Sequence, residues 1–141
     1  MSSVFADAGY WIAFFNSKDD LHKAALIAAK RIADRPIITS ENVLVEFLNE
    51  FSASGSHVRS LAGMFVTRLR ESGGVIIEPQ TTDGFAEALD LYINRPDKEW
   101  SLTDCESINI CSREGITEVL AHDHHFEQAG LKALLREDSE Q

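Results

Sequence analysis

Short apolar runs alternate with longer stretches that keep helical rhythm, and this alternation constrains the chain more than anything else in it. The runs are Val4–Asp7, apolar up to its closing acid, then Ile37–Thr39, Val75–Ile77 and Val119–Ala121. Three or four apolar residues bounded by turn formers read as a buried strand, and apolar residues at i, i+3, i+4 and i+7 read as a helix lying against it. Strands that alternate with helices pair in parallel, because each helix carries the chain back to the edge it left. The expected fold class is therefore α/β: a three-layer α/β/α arrangement around a central parallel sheet of about five strands. Ala133-Leu134-Leu135 is the expected fifth.

The helices can be placed with their punctuation. Ala8–Phe15 is apolar and breaks at Asn16-Ser17-Lys18-Asp19. Asp20 is the expected N-cap of a helix carrying Leu21, Ala24, Ala25, Ala28, Ala29 and Ile32 on one face, and Pro36 stops it. Ser40 caps a helix holding Val43, Leu44, Phe47, Leu48 and Phe51. Val58, Leu61, Phe65 and Leu69 mark the next, which ends at Gly73-Gly74. Phe85, Ala88, Leu89 and Tyr92 mark another. Thr103 with Glu106 three residues on matches a capping box, which puts Asp104 in the first turn of a helix ending near Gly115. With 141 residues, one domain over 1–136 is expected, followed by a polar, frayed tail over 137–141.

Composition excludes several classes. The longest early apolar stretch, Tyr10–Phe15, is far too short to span a bilayer, and Asp7 stands where a signal peptide would have its basic flank. The expected location is cytoplasmic, with no membrane role. Cys105 and Cys111 stand six apart in one helix, a rise of about 9 Å, beyond the roughly 7 Å that a disulfide spans. They read as core thiols. A net charge of −10 argues against a general nucleic-acid coat protein. The charge is uneven, however. Between Phe51 and Arg70 there is no acid, while His57, Arg59, Arg68 and Arg70 stand there. Arg59, Arg68 and Arg70 are candidate contacts for a phosphate backbone. Arg68 and Arg70 lie about 200° apart around a helix, so at most one of that pair is expected to face a site.

Four acids stand where the pattern makes position informative. Asp7 closes the first strand, Glu46 sits inside the helix after the second, Asp104 opens a helix, and Asp123 follows the fourth strand. In an open α/β sheet the carboxyl ends of the strands face one crevice. Acids far apart in sequence can therefore meet there. Carboxylates forced together repel, and a divalent cation relieves the repulsion. Read singly, each acid has a plain structural explanation as a turn former, a cap or a solvated helix residue. Only the ordered set points to chemistry.

The set resembles the PIN domain family, particularly the VapC-type toxin ribonucleases. The residues that carry the resemblance are Phe5-Ala6-Asp7, Val43-Leu44-Val45-Glu46, Trp100-Ser101-Leu102-Thr103-Asp104-Cys105 and the run Gly115–Asp123. The closing Phe126-x-x-Ala129-Gly130-Leu131 completes it. The resemblance covers about Val4 to Leu135. It implies a PIN-like fold and a metal-dependent endoribonuclease hydrolysing RNA phosphodiester bonds. It also implies Asp7, Glu46, Asp104 and Asp123 as the acidic site, with one or two Mg²⁺ or Mn²⁺ ions. Asp7 and Asp104 are the expected direct ligands, Glu46 a ligand or a positioner of the attacking water, and Asp123 a ligand of a second ion or a residue acting through water. Ser101 and Thr103 are expected to orient Asp104 or contact a phosphate. The same resemblance implies a cognate antitoxin and a homodimer. The apolar helices near residues 11–15 and 43–51 are candidates for the dimer surface, although they fit a core equally well.

Two other readings stand beside it: a catalytically silent PIN-like binding module, and a nuclease directed at DNA. Four mutually repelling carboxylates favour an active enzyme over the silent module. His122-Asp123-His124-His125 resembles a transition-metal cluster, but neighbours on a strand point to opposite faces, so these histidines are expected to form a polar rim. His22 is expected to be a surface residue. No Walker lysine loop, Gly-x-Ser-x-Gly elbow or dinucleotide glycine fingerprint is present.

Overall fold

The computed structural model describes residues 2–139. Five strands form one sheet: β1 (Val4–Ala6), β2 (Ile37–Ser40), β3 (Val75–Glu78), β4 (Glu118–Leu120) and β5 (Lys132–Ala133). Their order is β3-β2-β1-β4-β5. Every pairing is parallel, with Ile37 beside both Val4 and Val75, and Val119 beside both Phe5 and Ala133. Helices α1 (Ala8–Phe15), α2 (His22–Ile32), α3 (Glu41–Glu50), α4 (Ser56–Glu71) and α8 (Leu134–Ser139) form one packed group. Helices α5 (Thr82–Asn94), α6 (Leu102–Glu114) and α7 (His124–Gln128) form the other. This is the three-layer α/β/α fold that the alternation predicts. Among the described residues no helix is long and apolar enough to cross a membrane.

The strand order reverses at β1: the chain moves from β1 out through β2 to β3, then returns to the far side of β1 for β4 and β5. Connections leaving the carboxyl ends of β1 and β4 diverge at such a reversal, and a crevice opens between them. Beneath it the sheet is closed off. Phe5, Val119 and Leu120 are fully buried, and Phe15, Phe47, Phe51 and Phe65 pack with contacting ring centroids 5.0–5.5 Å apart. Trp11 donates its indole N–H to Thr39 Oγ1 at 3.2 Å, and Thr39 donates in turn to the carbonyl of Ala6 at 2.8 Å. This buried chain of hydrogen bonds ties α1 to β2 and to the last residue of β1.

Several expectations give way. The second helix starts at His22, not after an Asp20 cap; Asp19 instead accepts from the Leu21 N–H at 2.9 Å in a turn. His22 is half-buried, its Nδ1 2.7 Å from the Ala13 carbonyl, so it ties α2 to α1. The fifth strand is Lys132–Ala133, because Leu134 and Leu135 already belong to α8. Of the two readings open for residues 11–15, the core one holds: Trp11 and Ala13 are buried and Phe14 and Phe15 pack on them. The apolar side of α5 is covered only at Ala88 and Leu91, leaving Phe85, Leu89 and Tyr92 exposed. Of the expected tail, 137–139 end α8, and 140 and 141 lie outside the described residues.

Candidate active site

Asp7 is placed by the sheet itself. Its N–H donates to the Leu120 carbonyl at 3.2 Å, joining the carboxyl ends of β1 and β4, and the same residue is the N-cap of α1. Burial pushes its carboxyl from an ordinary pKa of 3.8 up to about 7, with the charge of Asp104 adding most among its neighbours and Glu46 and Asp123 adding more. The N–H of Ala8 pulls the other way and loses. The three other acids of the set are therefore all near enough to act on Asp7.

Asp104 is held by a capping box, but not the expected one. Ser101 is the N-cap of α6: its hydroxyl accepts from the Asp104 N–H at 3.0 Å, and Asp104 Oδ2 accepts from the Ser101 N–H at 3.1 Å. Thr103 lies inside the helix, and its hydroxyl hydrogen-bonds to Glu46. The expected Thr103/Glu106 box does not form, because Glu106 is buried and turned to another partner. Glu106 is buried and accepts from Asn42 Nδ2 at 2.9 Å, which locks α3 against α6 and so sets Glu46 across from Asp104. Burial raises the Glu106 carboxyl above its ordinary range, against hydrogen bonding from Ser40 and Asn42. Burial and Asp104 likewise raise Glu46, with Thr103 opposing.

Asp123 caps α7, its Oδ1 accepting from the His125 N–H at 3.0 Å. Strand β4 has already ended at Leu120. The alternation of faces therefore does not extend to the histidines: His122 and His124 stand at the rim of the crevice, and His125 departs from it. His125 points inward, with Nδ1 3.1 Å from Asp104 Oδ2 and 3.3 Å from Asp123 Oδ1. Its carbonyl accepts from the Trp100 indole at 3.1 Å. One imidazole thus joins two of the acids.

Together Asp7, Glu46, Asp104 and Asp123 line an open crevice of about 780 Å³, with Ser101, Glu99 and His122, His124 and His125 around it. Arg136 lines it too, donating from Nη1 to the His122 carbonyl at 3.2 Å and paired with Glu127 at 3.0 Å. Sequence reasoning missed Arg136. Only the docking of α8 on α2, with the Leu135 N–H on the Ala121 carbonyl at 3.1 Å, brings it there. Arg59, Arg68 and Arg70 are not among the lining residues. They lie on α4, which leads into the start of β3, while the crevice is at the strands' other ends. Arg59 donates to the Ser52 carbonyl at 2.7 Å.

The donor set fits a hard divalent cation. It consists of carboxylate oxygens, as Mg²⁺ and Mn²⁺ prefer. One of them, Asp7, ionises reluctantly because it is buried and because the others are close, and a cation placed among them offsets that cost.

No family model matches the sequence, and no curated protein matches it by sequence. The fold does match solved structures. The structure of VapC20 from Mycobacterium tuberculosis, described as a Sarcin-Ricin loop cleaving toxin, superposes with a TM-score of 0.81 at 24% identity, over 91% of this chain and 95% of that one. The structure of FitAcB from Neisseria gonorrhoeae superposes with a TM-score of 0.62 at 12% identity, over 92% of this chain and 95% of that one.

Proposed function

We propose, for a chain that has the fold of the VapC-type PIN domains, that it is a metal-dependent endoribonuclease and the toxin of a toxin–antitoxin pair, working in the cytoplasm. The observation that carries this reading is the meeting of Asp7, Glu46, Asp104 and Asp123 in one crevice, where burial, and after it the three other acids, make the Asp7 carboxyl resist ionisation. A carboxyl in that position gains more from a cation than an exposed one does. Mg²⁺ or Mn²⁺ bound there would neutralise charge on a phosphodiester and lower the pKa of a water beside it.

The chain's own residues then divide the work. Asp7 and Asp104 hold the cation. The capping box and His125 both engage Asp104 Oδ2 and so fix the carboxylate's rotation. Glu46, steadied by Thr103, orients the attacking water. Asp123 supplies a fourth carboxylate from the cap of α7. Arg136 at the crevice wall meets a substrate phosphate, and Arg59, Arg68 and Arg70 lie on a longer path for the RNA backbone. The partners of this reading are a structured RNA, an antitoxin that covers the crevice, and a second copy of the chain.

The direct test incubates chelator-treated protein with ribosomal RNA and with DNA of matching sequence, with and without Mg²⁺ or Mn²⁺. Discrete RNA cleavage that needs the metal is expected, with most of it lost in Asp104→Asn. Cleavage that survives chelation, or an Asp104→Asn protein as active as the parent, would overturn the reading. Light scattering checks the dimer, and a monomer mass at micromolar concentration would remove that part alone.

A further inference from the structure

Asp123, His124 and His125 each bring one donor atom within 4.8 Å of the others. Asp123 is the cap of α7, so the two histidines occupy the first helical turn and both rings lie beside the capping carboxylate, 4.8 Å apart at their centroids. His124 Nδ1 is 3.5 Å from Asp123 Oδ1, and His125 Nδ1 is 3.3 Å from the same oxygen. A tetrahedral ion bound at roughly 2.0–2.1 Å sets its ligand atoms about 3.3 Å apart. The two edges that meet at Asp123 Oδ1 are close to that spacing, and the third, between the histidines, lies within 4.8 Å. Asp104 Oδ2 lies 3.1 Å from the same His125 Nδ1, at the spacing of a further ligand atom.

We propose that Asp123, His124 and His125 form a transition-metal site for Zn²⁺, Ni²⁺ or Co²⁺, which shares Asp123 with the carboxylate set that suits Mg²⁺ and is set apart from it by its two imidazoles. Imidazole nitrogen selects these softer ions, while oxygen-only sites select Mg²⁺ and Mn²⁺. Asp123 and His124 are 45% and 59% exposed, so an ion reaches them directly from solvent and the remaining coordination positions go to water. The site does not depend on RNA being cut in the crevice.

Chelator-treated full-length protein is titrated with Zn²⁺ by calorimetry in excess Mg²⁺, and with Co²⁺ by its visible absorption. One equivalent of Zn²⁺ that Mg²⁺ does not displace is expected, together with the intense absorption of low-coordinate Co²⁺. His124→Gln and His125→Gln should each weaken Zn²⁺ by at least about tenfold, since even outer partners of a ligand are worth that much. His124 is exposed, so His124→Gln remains informative if the His125 variant misfolds. Unchanged Zn²⁺ affinity in the folded His124→Gln protein, or complete displacement by Mg²⁺, would overturn the site. Loss of RNA cleavage with Zn²⁺ binding intact would sink the proposed ribonuclease and leave this site standing.

Discussion

The centre of the sheet and its β3 edge are built from similar residues to opposite ends. In β1 and β4, Val4, Phe5, Ala6, Val119 and Leu120 are fully buried, and two of the crevice acids, Asp7 and Asp123, follow the ends of these strands. At the edge, Ile76 of β3 is 51% exposed, and α5 presents Phe85, Leu89, Tyr92 and Ile93 to solvent. Rigidity is concentrated under the acids. A cluster of repelling carboxylates keeps its geometry only if the backbone carrying it cannot relax. The edge carries no such demand, and its apolar surface is free to meet another molecule.

The largest expected contrast is in stability. Phe47 is fully buried and touches three aromatic rings, Phe15, Phe51 and Phe65. Phe47→Ala should cost about 3–5 kcal/mol in urea unfolding. Phe85, 47% exposed on α5, should cost less than about 1 kcal/mol on the same change. Equal costs would mean that the edge is as tightly packed as the centre.

The next contrast turns the crevice against its own scaffold. Folded Asp7 keeps its proton up to about pH 7, whereas an ordinary carboxyl releases it near 3.8. Between those values the folded chain binds more protons than the unfolded one, so stability falls as pH rises from about 4 to about 7. Above that the whole penalty stands, on the order of 4 kcal/mol at 1.36 kcal/mol for each pH unit. Metal-free Asp7→Asn should therefore melt above the parent at pH 8 and close to it at pH 4. Mg²⁺ should raise the melting point of the parent and leave that of the variant nearly unchanged. A variant less stable than the parent at pH 8 would show that the Asp7 charge supports the fold.

Legibility in the sequence divides along the same line. The parallel sheet could be read because Val4–Ala6 and Val119–Ala121 are short, wholly apolar and closed by acids, a pattern that buried parallel strands require. The meeting of Asp7, Glu46, Asp104 and Asp123 followed from sheet topology. Side-chain partners did not. Ser101 and Thr103 are two residues apart and both precede a suitable acid, so only the burial of Glu106 shows which one caps. Strand alternation misplaces His125 because β4 stops at Leu120, and helix geometry governs the residues from His124 onward. Arg136 depends on how α8 docks, which no local spacing encodes. The exposed side of α5 had the periodicity of a core helix; periodicity marks an apolar face without saying whether this chain or another covers it.

The smallest expected effect tests how far the crevice reaches. Arg68 and Arg70 lie in the last turn of α4, which ends at Glu71, four residues before β3 begins. The acids stand beyond the opposite ends of the strands. A phosphate at the crevice and a phosphate at these arginines are therefore separated by about the length of a four-residue strand, roughly 13 Å. Only an RNA that runs down the β3 edge touches both. A short oligonucleotide filling the crevice should then bind Arg68→Ala/Arg70→Ala as it binds the parent, with the same slope of log affinity against log salt. A long structured RNA should lose at most about 0.7 of slope, the value of one single-strand phosphate contact, because the two side chains diverge around the helix. A larger loss with the short oligonucleotide would place the arginines at the cutting site, and the distinction between a working centre and an idle edge would fail.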